Sequence, residues 1–193
     1  MPKRIVVING HPDNRPERFC SSIVATYVDS ALKAGHEVRR IDVGKLTFPL
    51  LVRFEDFQLL PSATDIRKAQ DDIAWAEHLV FVHPLWLGSA PAMLKGFLEE
   101  VACGGFGFDS GTAGNPARKL TGKSAHIIVT MGMPAMAFRL VFGSLGVRAF
   151  ARGILRLSGV WPIRKTYFGG VELSERRRMS FLARIGRLAA AGS

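Results

Sequence analysis

Three short stretches of this chain are apolar without alternation, and they constrain its fold more than any other feature. RIVVIN (4–9), HLVFVH (78–83) and SAHIIVT (124–130) are rich in β-branched and aromatic residues. A half-solvated strand alternates apolar and polar residues; a continuous run suits a strand covered on both faces. Helical periodicity fills the gaps. Residues 18–34 carry Phe19, Ile23, Tyr27, Ala31 and Leu32 at helical spacing, with Gly35 as a stop. Residues 64–75, 91–101, 136–157 and 172–190 also predict helices, Pro91 falling in a first turn. HEVRRID (36–42) and residues 165–168 supply a second and a fifth strand. Residues 45–61, broken by Pro49 and Pro61, and the glycine-rich 103–120 predict irregular chain. Strands alternating with helices predict an α/β three-layer sandwich. Its five-stranded parallel sheet would have the order 2-1-3-4-5 and helices on both faces. A chain of 193 residues accommodates this as one domain, 1–193.

A ligand in such a sheet lies beyond the carboxyl ends of the strands, where the order reverses between strands one and three. Three loops meet there. The first, NGHPDNRPERFCSS, runs into a helix whose amides can bind phosphate, with His11, Arg15, Arg18, Ser21 and Ser22 as further donors. It is neither a GxxxxGK[ST] nor a GxGxxG loop, and its arginines equally suit a solvated surface. The second, Pro84-Leu85-Trp86-Leu87-Gly88-Ser89, combines backbone amides with flat apolar side chains. That suits a planar, partly polar ring such as an isoalloxazine; it also suits a cap on the core or a subunit contact. The third, Thr130-Met131-Gly132-Met133-Pro134, permits close backbone approach or forms a tight turn.

Charge is unevenly spread. The net charge is +10 and the pI near 10.3, which favours anionic partners. From Arg139 onward there are eleven basic residues against Glu172 and Glu175. The stretch RLVFGSLGVRAFARGILRL interleaves arginine with apolar residues, as in a segment on an anionic membrane, a dock for an acidic protein, or a packed helix with a solvated edge. No nucleic-acid recognition motif accompanies the charge. The two cysteines, Cys20 and Cys103, have neither metal-site nor disulfide spacing, which suits a reducing, cytoplasmic setting. No metal site is expected. The apolar run near the start is too short for a signal or a membrane span.

The chain resembles the flavodoxin-like NAD(P)H:quinone oxidoreductases, a family that includes ancillary subunits of glutathione-gated potassium efflux systems. The resemblance runs from strand one to about strand five. It is carried by Pro84-Leu85-Trp86 through Pro91-Ala92-Met93-Leu94-Lys95-Gly96-Phe97, by Gly10-His11-Pro12-Asp13 followed by Phe19, and by Thr130-Met131-Gly132. It implies a bound flavin, FMN or FAD, with NAD(P)H as co-substrate and a quinone as acceptor. The short chain, without an evident adenine-binding extension, favours FMN. By resemblance His11, Arg18, Phe19 and Cys20 surround the flavin phosphate, Pro84, Leu85, Trp86 and Leu87 line the ring, and Thr130, Met131 and Gly132 close its far side. It also implies a homodimer. The alternative is an ancillary subunit that docks on a membrane transporter through the basic C-terminal region. Cys20 departs from the family's Asn, and Ala137-Phe138-Arg139 lacks the Tyr and His of many members. The proton donor is therefore unassigned; His83 is a candidate or a core histidine.

Overall fold

The computed structural model describes residues 1–109, 117–170 and 174–193. The three apolar runs become strands β1 (Arg4–Asn9), β3 (His78–Pro84) and β6 (Ser124–Met131). Together with β2 (Glu37–Asp42) and β7 (Ile163–Gly169) they form one parallel sheet, ordered β2-β1-β3-β6-β7. This is the expected order, once the short antiparallel pair β4 (Phe108–Asp109) and β5 (Ala117–Arg118) is set aside. Side chains alternate between two apolar layers. Val6, Ile8, Leu79, Phe81, Ile127 and Val129 join one core, and Ile5, Val7, Val80, Val82 and Ile128 the other. Both faces of each central strand are thus dry, as the absence of alternation requires.

Helices cover both faces. α1 (Phe19–Lys33) and α7 (Glu175–Ala190) bury Ile23, Tyr27, Phe181 and Ile185 on one side. α3 (Thr64–Trp75) and α4 (Ala92–Ala102) bury Ile66, Ile73, Leu94 and Phe97 on the other. Gly35 ends α1 as expected: its N–H donates to Leu32 and that of His36 to Ala31, the double bond of a Schellman stop.

Four stretches differ from expectation. The glycine-rich 103–120, expected as irregular chain, holds the short paired strands β4 and β5. Residues 45–61 hold a short helix, α2 (Phe54–Gln58), too brief for periodicity to reveal. The long helix expected over 136–157 is broken into α5 (Ala135–Val141), α6 (Leu145–Ala149) and a π-helical stretch, Phe150–Arg156. Gly143 and Ser144 have φ of 58° and 52°, and two successive left-handed residues cannot continue a right-handed helix. The last helix starts at Glu175, and the expected residues 172 and 173 lie outside the described residues.

Two histidines sit side by side at the amino-terminal end of β3 and β6. His78 Nδ1 is 2.7 Å from Ser124 Oγ, and His126 Nε2 is 2.8 Å from Thr166 Oγ1. Burial holds both below the usual imidazole range, His78 at about 3 and His126 at about 4, with neighbouring cationic groups adding to the effect. A histidine whose pKa is depressed on folding stabilises the native state above the unfolded pKa near 6.5 and loses that contribution as pH falls toward 4. For His126 alone the loss approaches ~3 kcal/mol. Denaturation series at roughly pH 7, 5.5 and 4 should show stability falling across that window. A His78→Gln/His126→Gln protein should show a shallower fall; an equal fall would mean that other groups control acid unfolding.

Candidate functional site

β1 and β3 are neighbours, yet their following helices leave to opposite faces, α1 to one layer and α4 to the other. The divergence opens a crevice at the carboxyl ends of the strands. The loops after β1, β3 and β6 border it.

The first loop is held by its own polar groups. Asn9, fully buried, donates to Asp42 Oδ1 across the β1–β2 pair and accepts the His11 N–H. Asp13 N–H donates to His11 Nδ1 at 2.9 Å, which leaves the His11 proton on Nε2. Burial lowers the His11 pKa, Asp13 opposing and Arg18 reinforcing the change. The Asp13 carboxylate receives Arg15 at 2.7 Å and Arg18 at 2.6 Å. Hydrogen bonds from Arg15, then Arg18, keep that carboxyl well below the usual range. Arg18 is the residue before the first turn of α1, which has no side-chain cap and no acidic residue. The positive end of the α1 dipole and its unbonded amides therefore face the loop.

The second loop is a two-residue hairpin turn. Trp86 and Ser89 exchange N–H···O bonds of 2.9 and 3.0 Å, with Leu87 at φ 48° and Gly88 at φ 79° between them. Both central residues being left-handed defines a type I′ turn, which suits Gly88 and strains Leu87. The strained residue is also fully exposed, and Trp86 is about half exposed (48%). The rings of His11 and Trp86 meet in a T-shaped contact at 5.7 Å between centroids, joining the first and second loops. Leu85 N–H donates to Thr130 O at 2.7 Å, joining the second and third.

The remaining expected residues divide by depth. Gly132 is exposed, with open space above its α-carbon. Pro84, Thr130 and Met131 are buried and support the loops from beneath. Cys20 is buried with Sγ 3.4 Å from Thr130 Oγ1, and burial pushes its thiol up to about 11. Phe19 is buried against Phe168 and Phe181, with the Arg178 guanidinium 4.7 Å above its ring. His83 lies at the end of β3 but on its core side. It is 1% exposed, with Nδ1 2.9 Å from Pro84 O, Nε2 without a partner among the described residues, and its ring 6.0 Å from Phe150. Burial depresses it to about 4, so it is a neutral histidine within the core rather than a rim donor. The Asp13 clamp and the His11–Trp86 contact are the features that residue-by-residue reading missed. The Leu-Gly pair inside an apolar loop was the one local hint of the turn.

The family comparison agrees with this architecture. Residues 3–189 match a family described by its flavodoxin-like fold, and the chain belongs to that family. It is 30% identical over 138 residues to the glutathione-regulated potassium-efflux ancillary protein KefG of Escherichia coli, covering 72% of this chain and 63% of that one. It is 26% identical over 182 residues to human ribosyldihydronicotinamide dehydrogenase [quinone], covering 84% of this chain and 74% of that one. An FMN-dependent NADH-azoreductase from Bacillus anthracis, solved with FMN, superposes with a TM-score of 0.76 at 14% identity, over 97% of this chain and 98% of that one. The chain spans about three fifths of the length of several curated relatives that it matches.

Leu87→Gly separates strain from contact. Removing a left-handed leucine should raise stability by about 1 kcal/mol, measured by chemical denaturation. An unchanged or lower stability would show that the Leu87 side chain packs more firmly than its exposure implies.

Proposed function

We propose that the chain is a flavin-dependent oxidoreductase that passes hydride from NAD(P)H to a quinone-like acceptor, with FMN as its cofactor. The observation that carries the reading is the strained, exposed Trp86–Leu87 turn, in ring contact with His11 of the loop that leads into the uncapped start of α1. An apolar turn joined to a loop that ends in unbonded helix amides fits a ligand that is flat at one end and anionic at the other. Its residues fit a flavin: the amides of the first turn of α1 and Arg18 for the phosphate, Trp86 and Leu87 for the ring. Pro84, Leu85, Thr130 and Met131 set the floor beneath them, and Gly132 leaves room on the far side. Phe19 and Cys20 anchor the start of α1 in the core.

A bound flavin supplies two-electron hydride chemistry. The chain's own groups orient and shield. Trp86 and Leu87 exclude water from the face that they cover, and the neighbouring amides favour negative charge. His11 carries its proton on Nε2 at the rim of the crevice and is the histidine placed to donate it. Asp13 holds Arg15 and Arg18 close to the α1 terminus, so the phosphate meets concentrated positive charge. The names of the human and B. anthracis relatives support this reading.

A homodimer accompanies it. Leu50, Val52, Phe54, Leu59 and Leu60 are all more than 60% exposed on one segment, an apolar patch of the kind that a second copy covers. The likeness to KefG favours a second role, as an ancillary subunit docking on a transporter through α7. Co-purification with membranes, lost on Arg176→Glu/Arg177→Glu/Arg178→Glu, would support that role. Among the described residues no helix is long and apolar enough to cross a membrane.

The purified protein should be yellow and release FMN identifiable by mass. Apoprotein should quench FMN fluorescence on binding, and Trp86→Ala should weaken that binding roughly tenfold. NAD(P)H oxidation should then depend on an added soluble quinone. A colourless protein that takes up neither FMN nor FAD would overturn the reading.

A further inference from the structure

Between Asp109 and Glu172 the sequence has nine basic residues and no acidic one. The structure gathers part of that excess into a stripe. Arg148, Arg152 and Arg156 recur every four residues along α6 and the π-helical stretch, all exposed, while Val147, Phe150, Ala151 and Leu155 face the core. Lys165 of β7 lies beside them; burial, then Arg152 and Arg148, hold its ammonium pKa below the usual range. Among the described residues none of these four cations has a carboxylate within ion-pair distance. Apolar groups end the stripe. Leu145, three residues before Arg148, is 68% exposed; Trp161, 63% exposed, carries the Arg156 guanidinium 5.1 Å above its ring.

We propose that this face is a docking surface for an anionic lipid bilayer, with Arg148, Arg152, Arg156 and Lys165 on the headgroups and Leu145 and Trp161 at the acyl boundary. Charge complementarity selects the occupant. A run of cations with no nearby carboxylate among the described residues favours an anionic partner over a neutral or cationic one. A second copy meeting this face in an isologous contact would set arginine against arginine. Nucleic acid offers charge but no apolar phase for Leu145 and Trp161. Residues 135–157 contain no Asn, Gln, His, Thr or Tyr, and their single serine, Ser144, is buried. The surface therefore carries point charges and hydrocarbon but almost no hydrogen-bonding side chains for reading a protein partner, as in segments that lie in a membrane interface. Gly146 of α6 packs directly on the Gly88–Ser89 end of the site turn. The stripe thus begins beside the crevice, and where the oxidoreductase reading holds, its acceptor is a quinone dissolved in lipid.

Flotation of the full chain with vesicles tests the proposal. Phosphatidylcholine vesicles carrying about 30% phosphatidylglycerol should bind it, and pure phosphatidylcholine should not. Each arginine is expected to contribute about fivefold in partitioning, so Arg148→Glu/Arg152→Glu/Arg156→Glu should weaken binding ~100-fold or more. The milder Arg→Gln triple should fall between, and guards against a folding defect checked by thermal melting. Leu145→Ser/Trp161→Ser should also weaken it and leave the residue more salt-sensitive. The same charge change on α7, Arg176→Glu/Arg177→Glu/Arg187→Glu, should weaken it far less. Absence of binding, equal loss from the α7 variant, or undiminished binding by Leu145→Ser/Trp161→Ser would overturn the proposal. So would a change in oligomer mass on reversing the stripe, which would mark it as a protein interface. FMN uptake is measured in parallel: vesicle binding without flavin sinks only the oxidoreductase reading, and flavin without vesicle binding sinks only this one.

Discussion

Burial of β1, β3 and β6 on both faces is the constraint from which the rest of the structure follows. A parallel strand cannot return to its neighbour by a hairpin, so each connection crosses a face as a helix. Because Ile5 and Val6, or Val80 and Phe81, point to opposite dry layers, helices are needed on both sides. β1 then sends its helix one way and β3 the other, and the crevice between adjacent strand ends is a product of that requirement. The site is where the packing problem of the sheet leaves a gap.

The crevice is furnished from two opposed kinds of chemistry. On one side, Asn9, His11, Asp13, Arg15 and Arg18 form a polar loop whose groups satisfy one another. On the other, Trp86 and Leu87 are held out on a turn that satisfies its backbone but leaves its side chains in solvent. Strain at Leu87 and exposure of Trp86 are local costs that the core does not require. His83 shows the converse: a histidine adjacent in sequence to the loop, yet turned into the core and kept neutral by burial.

Charge is distributed as unevenly as polarity. The β1 loop sets one carboxylate, Asp13, between Arg15 and Arg18, which offsets part of their charge. Among the described residues the α6 face has no such carboxylate, and beyond the effect of burial Arg152 and Arg148 lie close enough to Lys165 to lower its pKa. Such a face costs the isolated fold some self-repulsion, which an anionic partner would offset.

The sheet, its order, α1, α3, α4 and the crevice were legible in the sequence, because strand burial and helical period are local patterns written residue by residue. β1 and α3 fall on their expected bounds. The break between α5 and α6 was hidden because Gly143-Ser144 interrupts an otherwise unbroken apolar–arginine rhythm, and only backbone φ reveals it. For the site, sequence determined which loops meet and which residue types they bring. Tertiary structure decided which of those side chains reach solvent. His11, Trp86, Leu87 and Gly132 remain accessible, whereas Phe19, Cys20, Pro84, Thr130 and Met131 serve from beneath. The reason is geometric: neighbours in a loop have the same polarity whether they point up or down, and their direction is set by contacts with residues distant in sequence, Phe168 and Phe181 for Phe19 and Thr130 for Leu85.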